Sequence, residues 1–180
     1  MQEFQSIFYP PRLSVKRTFV FFLAIILCFL SACSAQPPTQ PVLDFQAKVS
    51  IDGEKAFDGL FSLQAEVSST MQGAVVIKVT TPDELWGLTY KWTDNFEIIY
   101  EGLHAQTQKG YLPKDSYAEA IYNVLCALSR EEQCDSFSDG VAVFTGDCAS
   151  GTYKVTTDSK GYIRNISVEE INLSADFTYE

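Results

Sequence analysis

Leu43, Phe45, Ala47, Val49 and Ile51 alternate with Asp44, Gln46, Lys48 and Ser50. A period of two belongs to a strand with one face in a core and the other in water, and a helix cannot satisfy it. Asp52-Gly53 is a turn signal. Phe57, Gly59, Phe61, Leu63, Ala65 and Val67 then repeat the alternation, so the two segments predict a hairpin. Met71 to Val79 is apolar on both faces, which predicts a central strand or one covered on its second side. Pro82 withdraws a ladder donor and ends it. Leu88 to Trp92 and Phe96 to Glu101 predict another hairpin around Thr93-Asp94-Asn95, with a short strand near Leu103 to Thr107.

After Pro113 the period changes. Tyr117, Ala120, Ile121, Val124, Leu125 and Leu128 recur at steps of three and four, which predicts one amphipathic helix over roughly Lys114 to Ser129. Beyond it, Val141 to Thr145, Thr152 to Thr157, Tyr162 to Val168 and Ile171 to Tyr179 read as strands. The predicted class is α+β, mainly β. A flat sheet of about nine or ten antiparallel strands would leave an apolar face that a single helix cannot cover, so either the sheet curls strongly, with the helix packed across its concave face, or it binds something.

The N-terminal part reads differently. Thr18 to Leu30 is an apolar run of 13 residues, preceded by Arg12, Lys16 and Arg17 and followed by Ser31 and Ala32. That is the order of a secretory signal peptide. At about 1.5 Å per residue the run reaches roughly 20 Å, short of the roughly 30 Å hydrocarbon core of a bilayer. Leu30-Ser31-Ala32-Cys33 resembles the lipobox of bacterial lipoproteins, in which the cysteine sulfur receives a diacylglyceryl group and becomes the first mature residue. The resemblance implies residues 1–32 as a lipoprotein signal peptide and Cys33 as the lipid-attachment site. Residues 33–41 form a Pro-rich tether and 42–180 a single β-rich domain. Two or more acyl chains give stable anchoring where one does not. Ser34 after the cysteine resembles an outer-membrane address in a two-membrane envelope. In a one-membrane cell the anchor lies on the outer face of the plasma membrane.

Composition narrows the partners. Of 13 basic and 23 acidic residues, the first 32 positions hold three and one, so the mature chain carries 10 against 22, a net charge of -12. That sign repels phosphate backbones and anionic head groups, which argues against nucleic acid and leaves membrane attachment to the acyl chains. Cys126, Cys134 and Cys148 remain in the domain. Cys126 falls in the helical pattern as a small buried hydrophobe, and a Cys134–Cys148 bridge stays open. Three scattered thiols without paired spacing give no metal site, and no cofactor is expected.

The acylated cysteine, the tether, the long first hairpin, "VTTPDELWGLTYKW", "EIIYEGL", the lone helix and the strand-rich tail together resemble the LolA/LolB-like fold of the bacterial lipoprotein carrier and its outer-membrane receptor. This implies an unclosed β-barrel with a helical lid over an apolar cavity. The chain differs from those carriers in having one lid helix, and no binding residue is carried across.

Phe45, Phe57, Phe61, Tyr90, Trp92 and Tyr100 fall on strands that line a curved sheet's inner face. They are the candidate cavity for a lipid or other hydrophobic ligand; the alternative is plain core. Leu85 and Trp86 follow Pro82-Asp83-Glu84 and are a candidate surface-probing loop, or else Trp86 folds back as a plug. His104 has no nucleophile or orienting signature around it and reads as an incidental edge residue. Asn165-Ile166-Ser167 fits a glycosylation sequon by accident. The sequence therefore predicts a non-catalytic, membrane-anchored envelope lipoprotein. It either binds a hydrophobic ligand in a half-barrel or serves as a structural or interaction protein with a self-filled core, with another envelope lipoprotein as an alternative partner.

Overall fold

The alternating segments assemble into one antiparallel sheet whose strand order carries the fold. In the computed structural model, residues 40–55, 59–131 and 133–180 are described, all within the unit Gln36–Glu180. The signal peptide, Cys33, all but the end of the tether, and Phe57 lie outside the described residues. The strands are β1 (Phe45–Lys55), β2 (Gly59–Ser69), β3 (Val75–Thr81), β4 (Thr89–Trp92), β5 (Phe96–Tyr100), β6 (Leu103–Thr107), β7 (Ser136–Ser138), β8 (Val141–Cys148), β9 (Gly151–Thr157), β10 (Ile163–Val168) and β11 (Leu173–Thr178). The helix α1 is Tyr117–Leu128.

The sheet runs β6-β5-β4-β3-β2-β1-β11-β10-β9-β8-β7. The chain starts at the middle, meanders out to β6, crosses through α1 to the opposite edge at β7, and meanders back to β11 beside β1. Hairpins build each half because antiparallel neighbours need only short turns. β6 and β7 do not pair, so the sheet stays unclosed. α1 joins the two edges and therefore lies across the inner face. Its buried side, Ala118, Ala120, Ile121, Val124, Leu125 and Leu128, shares one core with inward residues of the strands, among them Ile51, Val67, Ile77, Phe144, Val155 and Ile166. At about 25 cal/mol per Å² of apolar surface removed from water, this shared core is the main stabilising term.

Several boundaries differ from the sequence reading. Among the described residues eleven strands form, against about nine or ten expected from the sequence. β7 carries no sequence signal, because Ser136-Phe137-Ser138 is too short to show a period. Asp52-Gly53 does not turn the chain: β1 runs through it, with Gly53 opposite Phe61 and Glu54 opposite Leu60. The Phe61 ring covers the glycine so closely that a Cβ there would stand 2.6 Å from it. β3 is interior, but its second side stays open, with Val76 half-buried and Lys78 exposed. α1 begins at Tyr117, because Ser116 caps it by accepting the Glu119 N–H at 3.3 Å. A 3₁₀ turn at Glu169–Ile171 delays the last strand to Leu173. Cys126, Cys134 and Cys148 are free thiols.

Candidate functional site on the concave face and its rim

Tyr90 and Trp92 of β4 and Phe96 of β5 face inward beside Ile98, and α1 brings two tyrosines down onto them. Trp92 is fully buried and stacks on Tyr122 with ring centroids 4.9 Å apart and planes at 7°. Phe96 sits 5.0 Å from Trp92. Tyr90 meets Tyr117 edge to face at 5.8 Å, and Phe61 meets Tyr117 at 5.8 Å. The Tyr117 hydroxyl donates to the Tyr90 oxygen at 3.4 Å. Offset and edge-to-face pairs of this kind add to the stabilisation from buried area.

Of the six candidate cavity residues, Phe61, Tyr90 and Trp92 thus come together. Phe45 is buried elsewhere, against Phe177 at 5.8 Å and Tyr179 at 6.1 Å. Tyr100 is half-buried, and its hydroxyl donates to the Glu84 carbonyl, tying β5 to the Asp83–Leu85 turn. Phe57 is outside the described residues.

Sequence reading missed Glu119 and Tyr122, which lie just off the apolar stripe of α1. Glu119 is only 4% exposed, and burial pushes its carboxyl above the usual carboxylate range, opposed in part by the Trp92 indole N–H. Neither Glu119 Oε2 nor Trp92 Nε1 makes a hydrogen bond of normal geometry. The one available signal was the Ser116-x-x-Glu119 spacing, which marks a helix start but not a buried acid. Burial likewise pushes the Tyr117 phenol up.

No ring of this cluster lines the three concavities found among the described residues, although Val75, which lines the smallest, pairs with Trp92. One of 160 Å³, lined by Leu43, Met71, Val75, Leu125 and Cys126 among others, is smaller than the roughly 300 Å³ of an ordinary ligand pocket. Two larger ones, of 310 and 510 Å³, lie on the outward face of β1, β2 and β11 around Lys48, Glu66 and Thr178. Their linings contain no aromatic residue.

At the rim, Leu85 is half-buried and Trp86 is 63% exposed. Lys78 Nζ lies 5.9 Å from the Trp86 ring centroid. His104 stands on edge strand β6 with Nε2 3.1 Å from Glu97 Oε2. Asn165 donates to Ser174 and Asp176 across β11. Among the described residues there is no cluster of three or more His, Cys, Asp or Glu that could hold a metal. Among them, too, no helix is long and apolar enough to cross a membrane.

An unclosed antiparallel half-barrel, with one helix laid across its concave face from edge to edge, is the class that this topology defines. No family model matches the chain, and no curated protein does. Among solved structures it is similar to the LolA superfamily protein NE2245 from Nitrosomonas europaea. That match has a TM-score of 0.36 and 9% identity, covering 75% of this chain and 69% of that one. A second similarity is to a chain in the structure of the CwlD amidase from Clostridioides difficile in complex with the GerS lipoprotein. There the TM-score is 0.39 and the identity 14%, covering 93% of this chain and 89% of that one. Strand order and helix placement, rather than these superpositions, define the fold.

Proposed function

We propose that the chain is an envelope lipoprotein, held to a membrane through acylated Cys33, whose domain is a non-catalytic interaction module with its concave face filled by its own helix. The observation that supports the reading is the Trp92–Tyr122 stack at 4.9 Å, in which a ring from α1 packs flat on a ring from the concave face of β4. The Leu30-Ser31-Ala32-Cys33 order supports the anchor. The address is the outer membrane in a two-membrane cell and the outer face of the plasma membrane in a one-membrane cell.

Two assays test the two halves separately. Metabolic labelling with a palmitate analogue is expected to mark the chain and to miss a Cys33→Ser variant; equal marking of both would remove the anchor. Titration of residues 40–180 with a fluorescent fatty acid is expected to give no saturable binding. Saturable binding that Trp92→Phe alters would restore the ligand cavity.

A further inference from the structure

β6 ends the sheet on one side, with β5 as its only strand neighbour among the described residues. The turn from β5 fixes which of its backbone groups are free. Glu101 and Gly102 both have positive φ, 47° and 83°, as in the two-residue hairpin loop that closes on a hydrogen-bonded pair, here Tyr100 and Leu103. Hydrogen-bonded pairs alternate along an antiparallel ladder, so Leu103, Ala105 and Thr107 turn their N–H and C=O groups to β5. His104 and Gln106 turn theirs outward. Among the described residues no other backbone group bonds to them, and the side chains from Leu103 to Gln106 are all exposed. An open ladder of this kind is a template for another strand, and proteins guard it with lysine, proline, a bulge or short length. β6 has no lysine or proline, and its register with β5 is unbroken over five residues. The opposite edge is guarded: β7 has three residues, and pairing two copies about Phe137 would set Asp135 against Asp139, acid against acid.

The residues of β6 say which strand fits. Antiparallel pairing of β6 with itself about Ala105 sets His104 opposite Gln106 of the second copy and Leu103 opposite Thr107. The outward groups of His104 and Gln106 then meet as hydrogen-bonded pairs on both sides of the two-fold axis. Leu103, 74% exposed in the single chain, gains Thr107 and Ala105 of the second copy as neighbours. Charge agrees with the same register. Glu97 is already met by Lys91 at 3.5 Å and by His104 at 3.1 Å. Glu101 and Lys109 have no ion-pair partner among the described residues, and the register brings each level with the other on the second copy, once at either end of the paired stretch. Asp83 and Glu84 stand behind Tyr100 at the Glu101 end and add to the acidic side that Lys109 meets. Asp94 lies a strand farther from the axis, in the β4–β5 turn, and beyond Lys109 the chain leaves toward α1 with Lys114 and Asp115 offsetting each other. No like charges face each other across the axis, although the domain is acidic overall, and like charges directly opposite are what destabilises a strand pair.

We infer that β6 pairs antiparallel with β6 of a second copy of this chain about Ala105, joining two half-barrels into one continuous sheet with their concave faces on the same side. The contact is isologous and closes at two copies. This deepens the interaction module proposed above by naming a surface and its partner; it rests on that reading's interaction role and not on its anchor.

The test is disulfide trapping of the full chain in whole cells, with copper phenanthroline as oxidant and a dimer band on a non-reducing gel as readout. Cys126, Cys134 and Cys148 are replaced by alanine, and this parent, which keeps Cys28 and Cys33, sets the background. A non-hydrogen-bonded antiparallel pair brings Cα atoms to about 4.5 Å, within the span of a disulfide, so Ala105→Cys is expected to give a dimer well above that background. Co-expressed His104→Cys and Gln106→Cys chains are expected to join each other at least tenfold more than either joins itself. Gln106→Pro removes an outward N–H and leaves the β5 ladder intact; it is expected to cut the Ala105→Cys dimer at least tenfold with unchanged protease resistance. Lys109→Glu is expected to lower the yield, and Glu101→Lys in the same chain to restore it. An Ala105→Cys yield no greater than that of Ser138→Cys on the opposite edge would overturn the inference. So would a mixed disulfide with another protein in place of the dimer, or a dimer indifferent to Gln106→Pro. Trapping that fails while palmitate labelling and fatty-acid titration give the results expected above sinks the pairing alone.

Discussion

Replacing Trp92 by alanine separates a filled concave face from an empty one. Trp92 is fully buried and packs on Tyr122, Phe96 and Tyr90. If these contacts are core, truncation leaves a cavity that the sheet cannot close, because both neighbours of β4 are held in ladders. Trp-to-Ala changes of this kind cost about 3–5 kcal/mol. Against a total stability of about 5–15 kcal/mol that is a large fraction. At about 2–4 °C per kcal/mol for a domain of this size, the melting temperature falls by roughly 10 °C. Trp86→Ala is the matched control: its ring is mostly in water, and it is expected to stay within about 0.5 kcal/mol of the parent. Urea unfolding followed by far-UV circular dichroism measures both without relying on the removed fluorophore. A Trp92→Ala loss below about 1 kcal/mol would refute the reasoning, because such a ring would be lining space rather than filling it.

Three further expectations follow from named groups. Glu119 has its folded pKa raised by burial, so the folded state holds its proton more tightly than the unfolded chain. Folding therefore gains as pH falls from above the folded value toward the ordinary 4.5. Glu119→Gln is thus expected to raise the melting temperature at pH 8 and to lose that advantage toward pH 5; thermal melts in which the gap widens on acidification would contradict this. Gly53→Ala puts a Cβ 2.6 Å from the Phe61 ring and is expected to cost about 1–3 kcal/mol by overpacking. The cost should largely vanish in a Phe61→Ala background, as a double-mutant cycle would reveal. Gly151→Ala meets both a φ of 129° and the Glu170 carboxylate that accepts the Thr152 N–H at 2.9 Å. A loss of about 1–3 kcal/mol in urea unfolding is expected from the backbone alone.

Much of the architecture was legible because the two periodicities are strong. Phe45 to Ile51 and Leu173 to Phe177 announce half-buried strands, and Tyr117 to Leu128 announces one stripe on one helix. What stayed hidden depends on long-range neighbours. Gly53 looks like half of a turn until Phe61 is seen lying over it. β7 has three residues and exists because β8 offers it an edge. Tyr122 and Glu119 sit off the apolar stripe, and only a curved sheet wraps far enough around α1 to bury Glu119 and half-bury Tyr122. Phe45 and Tyr100 obey the same inward alternation as Trp92, yet they stand at distant places on the sheet; alternation gives the face but not the position along it. One exposed residue was legible: Trp86 drew attention beside Pro82, and it is 63% exposed.

The claim on which the account turns is that the concave face holds the protein's own aromatic rings and nothing else. Native mass spectrometry of residues 40–180 purified from cells, paired with organic extraction of the same sample, tests it most directly. The account predicts the polypeptide mass alone and an extract free of stoichiometric lipid. A bound acyl lipid near one per chain, lost on unfolding, would contradict it.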